Sequence, residues 1–399
     1  MLKNRFFVPD YIYFYPFDKG HLLYGLQSGQ LHYNIDTKEE ATHNMNPADF
    51  ATTNTLTAFA DPSRKGRLYD YKANMMMGNK LNLSDDFGAT SKLILNLSFD
   101  MLATLGFDPS NENVVYVAYQ SNKLFKVDFS DMTKIDSKEI VLTGEGNVTM
   151  VYIDPKDANH MFVNRGNKLY STKDAGENWS EAIDGFGENN GINIIVKDPN
   201  NDQKLIAGAM LGIYSSEDNG ETWKKISDMK NANKISFSPT EEDVLVAVSY
   251  TNTMVNSSAE AAFSVDGGEE WFSVKGEVLD HIMSTSAALN FIDRSVDIYF
   301  STIGLGVVKY SLSLIPESVN ETQQNNFVVY PNPATDVVTF KSNNNTTVNK
   351  IEIFTTSGIK VKAIENSSSV SVKDLNTGIY LFKATDNNNQ HYIQKMVVK

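Results

Sequence analysis

Apolar and polar positions alternate along this chain in short runs separated by turns, and the runs recur. One landmark is an apolar run that ends in Pro, usually as Asp-Pro, followed by a polar turn and a second apolar run. Copies lie at Tyr13-Phe14-Tyr15-Pro16, Phe59-Ala60-Asp61-Pro62, Phe107-Asp108-Pro109, Ile153-Asp154-Pro155, Lys197-Asp198-Pro199 and Phe237-Ser238-Pro239. The prolines are 46, 47, 46, 44 and 40 residues apart, and a seventh copy without its proline, Phe291-Ile292-Asp293-Arg294, follows 55 residues later. A fixed period of this length signals a stacked or radial array. Within each period, runs such as Val114-Val115-Tyr116-Val117 and Met161-Phe162-Val163 read as a second strand. Asn167-Lys168-Leu169-Tyr170 and Gly212-Ile213-Tyr214-Ser215 read as a third. Four short strands per repeat and no helical periodicity over residues 1–314 predict an all-β protein, a β-propeller of about seven four-stranded blades. Those blades form either the whole ring or part of a larger array.

A second landmark shares the phase of the first. Ser/Thr-x-Asp-x-Gly-x-x-Trp occurs as Thr172, Asp174, Gly176 and Trp179, as Ser216, Asp218, Gly220 and Trp223, and as Ser264, Asp266, Gly268 and Trp271. All three tryptophans lie in these motifs, and Asp174 and Asp218 each sit 19 residues past their proline. Here residues 11–314 resemble the Asp-box, or bacterial neuraminidase, repeats of sialidases, xyloglucanase-like glycoside hydrolases and sortilin-type propellers. Degenerate copies extend the series at Ser84-Asp85-Asp86-Phe87-Gly88, Asn34-Ile35-Asp36 and Lys126-Val127-Asp128. A hairpin between the third and fourth strands needs these residue types: Asp accepts backbone N–H bonds, Gly takes a positive φ, and Trp lays an apolar face beneath the turn. The resemblance implies a structural role for the box, away from the ligand face.

Residues 315–326 are polar and read as a linker. The strands that follow, with Tyr330-Pro331-Asn332-Pro333, a Ser-Gly turn at Gly358, Gly378 and Tyr380 in a Leu-x-x-Gly-x-Tyr strand, and Lys395 opening Lys-x-Val-Val, predict a small immunoglobulin-like β-sandwich over residues 327–399. This segment resembles the type A C-terminal sorting domain of the type IX secretion system of Bacteroidetes. That resemblance implies the secretion machinery as a partner and delivery to the outside or the outer-membrane surface. It also implies a cleavable export signal, which the N-terminus, with Lys3, Arg5 and Phe6-Phe7-Val8-Pro9, does not show, so the chain is expected to be N-terminally incomplete.

Composition narrows the chemistry. A net charge of −14 and the lack of a basic stripe argue against nucleic acid. No run of about 18 uninterrupted apolar residues predicts a membrane span. The chain has no cysteine. Its histidines, His21, His32, His43, His160, His281 and His391, lack metal-type spacing. Neither a cofactor nor a catalytic residue is expected. The five arginines, Arg5, Arg64, Arg67, Arg165 and Arg294, come without the Arg-Ile-Pro signature of sialidases. Met75-Met76-Met77 reads as gap filling, and the Thr251 to Ala262 insertion as a surface loop. The leading expectation is a non-enzymatic module that binds a glycan or protein; the alternative is a fragment of a xyloglucanase-like or sialidase-like hydrolase.

Overall fold

The structure, a computed structural model, describes residues 12–15, 18–26, 29–43, 55–62, 64–73, 78–250, 258–274, 279, 282, 284–302, 306–314, 327–342, 347–355, 360–387 and 391–399. The methionine triplet, the linker, Gly358 and residues 251–257 of the insertion lie outside them. The chain divides into two compact units, Met1–Leu312 and Ser313–Lys399.

In the first unit, the described residues form seven antiparallel sheets in chain order, each a meander whose strands pair with their sequence neighbours. We call them blades 1 to 7. Blade 5, for example, comprises Ile192–Lys197, Leu205–Ala209, Gly212–Ser216 and Lys224–Ser227. The first strands are Ile12–Tyr15, Thr55–Ala60, Leu102–Phe107, Val148–Asp154, Ile192–Lys197, Ala232–Phe237 and Ser284–Ile292. From blade 3 onward each first strand packs against the first strand of the next blade, and that of blade 7 packs against that of blade 1. They are therefore the innermost strands. The second strands are covered on both faces, which is why they read as continuous apolar runs; Val114–Tyr119 is buried throughout.

The apolar cores lie between blades. Tyr69 and Leu81 of blade 2 pack with Val115 and Val117 of blade 3, and Ile12 and Leu22 of blade 1 pack with Ala288 and Tyr299 of blade 7. This last contact brings the first and last blades together. A single four-stranded sheet has two apolar faces and cannot cover either alone, so burial of those faces holds the array together.

Among the described residues, blades 4 and 7 have three strands where four were expected. In blade 4 the chain after Trp179 makes two backbone bonds to the third strand, Ser180 N–H to Ser171 O (2.8 Å) and Ile183 N–H to Leu169 O (2.8 Å), and the Ser180 hydroxyl accepts the Ser171 N–H (3.0 Å). It then turns away through Gly185 and Gly187, both at positive φ.

The second unit contains two sheets, one of Phe327–Tyr330, Val337–Ser342 and Ser369–Ser371, the other of Lys360–Glu365, Val348–Thr355, Gly378–Asp386 and His391–Val398. Phe327, Val338 and Phe340 of the first share one core with Ile351, Ile353, Phe382 and Met396 of the second.

Candidate functional site

The meander gives the ring two chemically different ends. One carries the turns between first and second strands and the hairpins between third and fourth strands; the other carries the remaining connections and the starts of the inner strands. The boxes occupy the first end. In each, the Ser or Thr hydroxyl donates to the Asp (Thr172 to Asp174 2.7 Å, Ser216 to Asp218 2.7 Å, Ser264 to Asp266 2.8 Å) and accepts the Gly N–H (3.0, 2.8 and 2.8 Å). The Asp then accepts the N–H of the residue before the Trp, Asn178, Thr222 or Glu270. Ser84, Asp86, Gly88 and Thr90 repeat these bonds without a Trp.

The residue before the Gly also has a positive φ, as in Ala175, Asn219, Gly267 and Phe87, and donates its N–H to the neighbouring turn of its own blade, at Asn159, Gln203, Asp243 and Gly66. Each Trp reaches the preceding blade: Trp179 packs with Ile140, Trp223 with Phe162 and Phe186, and Trp271 with Ile226. Trp223 and Trp271 donate their indole N–H to Gly220 O and Gly268 O at 3.0 Å, whereas the Trp179 indole nitrogen has no partner. The carboxylates are stabilised by the donors around them, so Asp174 is held down to about 2, chiefly by Asn178.

Ion pairs between blades lace this box end. Lys156 meets Asp202, Lys173 meets Glu221, Arg64 meets Glu112 at 3.0 Å, and Arg294 meets Glu241 at 3.5 Å. Beneath them lies a sealed polar cluster between blades 4 and 5. The Lys197 ammonium donates to Asp154 (2.6 Å) and to Asn219 (3.2 Å), and His160 Nδ1 lies 3.5 Å from Asp154 and 3.2 Å from the Asn219 amide. Burial lowers the His160 pKa, while Lys197 and the Lys156 N–H outweigh desolvation to lower that of Asp154. The enclosed Asp154–His160 pair of blade 4 is tied to blade 5 through Lys197 and Asn219.

The far end differs. Among the described residues, Phe99, Met101, Val141, Met210 and Leu211 stand exposed there, Phe99 at 71% and Val141 at 82%. A cleft of about 550 Å³ opens between the Gly166–Leu169 turn and the 182–190 connection, with Lys168, Asp184 and Glu188 on its walls. The buried Asn190 shapes it, donating to Phe186 O (2.8 Å) and the Tyr214 hydroxyl (2.9 Å) and accepting the Leu211 N–H (2.8 Å).

At this end the inner strands also share a feature that the sequence reading did not identify. Blades 3 to 7 each have a β-bulge at the second residue of the first strand, which leaves Ala103, Thr149, Asn193, Asn233 and Thr285 unpaired in the register. A bulge re-aims side chains and ends regular pairing. Asn193 Nδ2 donates to Ala232 O (3.3 Å), Asn233 Oδ1 accepts the Tyr250 N–H (3.0 Å), and the Tyr250 hydroxyl bonds to Ser286. Blades 5, 6 and 7 are thereby joined around one polar patch. Burial raises the Tyr250 hydroxyl to about 12. The signal was present: Ala103, Thr149, Asn193 and Asn233 each stand six residues before their landmark proline.

Residues 167–307 match the Sortilin-Vps10 family (sortilin, neurotensin receptor 3), and residues 328–399 match the secretion system C-terminal sorting domain. The chain carries Asp-box repeats and a secretion-system sorting domain. Three solved structures resemble it at 13% identity. They are a GH74 enzyme of Niastella koreensis (TM-score 0.59, 98% of this chain, 66% of that one), a GH74 xyloglucanase of Xanthomonas campestris (0.59, 95% and 58%) and an ancestral GH74 enzyme (0.51, 86% and 53%). At this identity the likeness establishes the propeller fold alone, and the chain spans less than two thirds of each of those proteins. No curated protein matches the sequence.

In the sorting domain, Asn332 Oδ1 accepts the Val397 N–H (2.9 Å) and its amide approaches Lys395 O (3.4 Å), so the Pro-Asn-Pro opening clips onto the last strand. Gly378 opens the strand that carries Tyr380, which is buried in the shared core and donates to Asn376 O (2.9 Å). Among the described residues no helix is long and apolar enough to cross a membrane, and no group of three or more His, Asp or Glu is placed to hold a metal ion. The sorting domain supports secretion to the cell surface or beyond.

Proposed function

We infer that the chain is a binding module, delivered by the type IX secretion machinery to the cell surface or released from it, that engages a glycan or protein ligand at the far end of its propeller. The observation that carries this reading is the asymmetry of the ring. Boxes and interblade ion pairs cover one end, which exposes Leu93, Met132 and Ile292 on separate blades, while the other exposes Phe99, Met101, Val141, Met210 and Leu211 at the end that carries the polar bulge residues. Exposed apolar groups grouped around polar ones mark interaction sites, and ligand sites gather where loops meet a rigid scaffold. The inner-strand bulges present Thr and Asn, types that hydrogen-bond a ligand without chemistry of their own.

A second reading, a piece of a secreted glycoside hydrolase, is favoured by the likeness to GH74 enzymes, one of them a xyloglucanase. It needs two carboxylates about 5–10 Å apart, one kept protonated. A glycan array probed with the full chain, run beside a xyloglucan hydrolysis assay, separates the two. The binding reading predicts retention without turnover, weakened about tenfold by Met210→Asp with Leu211→Asp and unaffected by Lys173→Ala. Turnover of xyloglucan, or equal loss with Lys173→Ala, overturns it.

A further inference from the structure

The residue after the bulge is Thr104 in blade 3, Met150 in blade 4, Ile194 in blade 5 and Ser286 in blade 7; in blade 6 it is Lys234. One blade in the repeat thus places a full positive charge where its neighbours hold small or apolar side chains. No ion pair or hydrogen bond among the described residues engages the Lys234 ammonium. Protein surrounds it on most sides, which lowers its pKa, yet the side chain is only half-buried and its nitrogen is not sealed from solvent.

An unpaired ammonium in such surroundings is costly, and an incoming anion would remove that cost. Next to it in sequence, the Asn233 side chain uses its Oδ1 on Tyr250, and the Asn193 side chain uses its amide on Ala232 O; among the described residues nothing bonds the Asn233 amide or the Asn193 Oδ1. The bond from Asn193 to Ala232 O brings that side chain against the strand start that carries Asn233 and Lys234, so a cation, a donor and an acceptor belong to the adjoining inner-strand starts of blades 5 and 6.

We propose that Lys234, with Asn193 and Asn233, binds the carboxylate-bearing ring of an acidic glycan, a uronic acid residue. A sugar acid carries on one ring a carboxylate for the ammonium and hydroxyls that both donate and accept for the two carboxamides. A peptide's terminal carboxylate would satisfy the lysine and leave the carboxamides idle. This inference rests on the far end being the binding end.

The test is calorimetric titration of the full chain with a galacturonic acid oligosaccharide and with its methyl ester, which keeps the hydroxyls and loses the charge. The wild type is expected to bind the acid form at least about tenfold more tightly than the ester, and Lys234→Met to bind both equally. Lys173→Met, at the box end, should preserve the discrimination. Removing an unpaired, half-buried charge should leave the Lys234→Met unfolding midpoint unchanged or raised; Lys234→Gln serves as a second variant. In the wild type, the acid oligosaccharide should also slow acylation of Lys234, read by mass spectrometry, while the ester should not. Equal binding of acid and ester by the wild type, undiminished discrimination in both variants, or absence of protection overturns the proposal. If a neutral glycan or a protein binds in a manner sensitive to Met210 and Leu211 while the acid form does not, the lysine assignment falls and the binding end stands.

Discussion

Gly220→Ala tests whether the box is a hairpin motif or a latch between blades. Gly220 has φ +93°, and a Cβ there would overlap the Cζ edge of Phe162 in blade 4. That ring cannot retreat freely: it is fully buried and meets Trp223 edge-on at 6.4 Å and His160 at 4.8 Å. Gly187 has a similar φ of +80° and nothing within 4 Å of the added Cβ, so Gly187→Ala isolates the backbone cost. The left-handed conformation costs an L-residue about 1–2 kcal/mol. Forcing a methyl into a packed core adds about 1–3 kcal/mol. Gly220→Ala should therefore destabilise by about 2–5 kcal/mol and Gly187→Ala by about 1–2. All three tryptophans belong to boxes, so urea unfolding of the full chain followed by tryptophan fluorescence reports on the propeller alone. A difference between the two variants below about 0.5 kcal/mol would refute the latch.

The remaining expectations concern the polar ties. Asp154→Asn strands the buried Lys197 ammonium and should cost about 3–5 kcal/mol, whereas Lys173→Ala, at an exposed pair, should cost less than about 1; urea denaturation compares them. Burial depresses His160 below 6.5, so the folded state favours its neutral form; its contribution is complete above that pH and fades as pH falls through it, and His160→Gln should flatten this limb of the unfolding profile. Asp154, Asp174 and Asp218 are likewise lowered from 3.8, so a second loss should begin only below about pH 4. Trp223→Phe breaks a bond to Gly220 O and Trp179→Phe breaks none, so the former should cost about 1 kcal/mol more in urea unfolding followed by circular dichroism.

Much of the fold was legible because repetition turns weak signals into strong ones. A single Phe-Asp-Pro says little; six at a near-constant step, sharing phase with a Trp-bearing turn, require equivalent units that bury each other's faces. The strand count per blade was less legible. In blade 4, two backbone bonds from Ser180 and Ile183 stand in for a fourth strand, a difference that local propensity does not encode. The far end was hardest to read. Asn193 and Asn233 look like ordinary alternation until register shows them bulged, and Lys234 looks like any surface lysine until its neighbours in the ring are known. The buried cluster of Asp154, His160, Lys197 and Asn219 was hidden for the same reason, since its members come from two blades.

Ring closure by blade 1 against blade 7 is measured most directly by pulsed electron spin resonance, since a chain without cysteine accepts labels only where they are introduced. Labels would go on Thr37 in blade 1, Glu177 in blade 4 and Asp293 in blade 7, all at the box end. A closed ring of seven predicts that Thr37 lies nearer to Asp293 than to Glu177. The opposite order, with separation growing steadily from blade 1 to blade 7, would mean an open array and contradict the account.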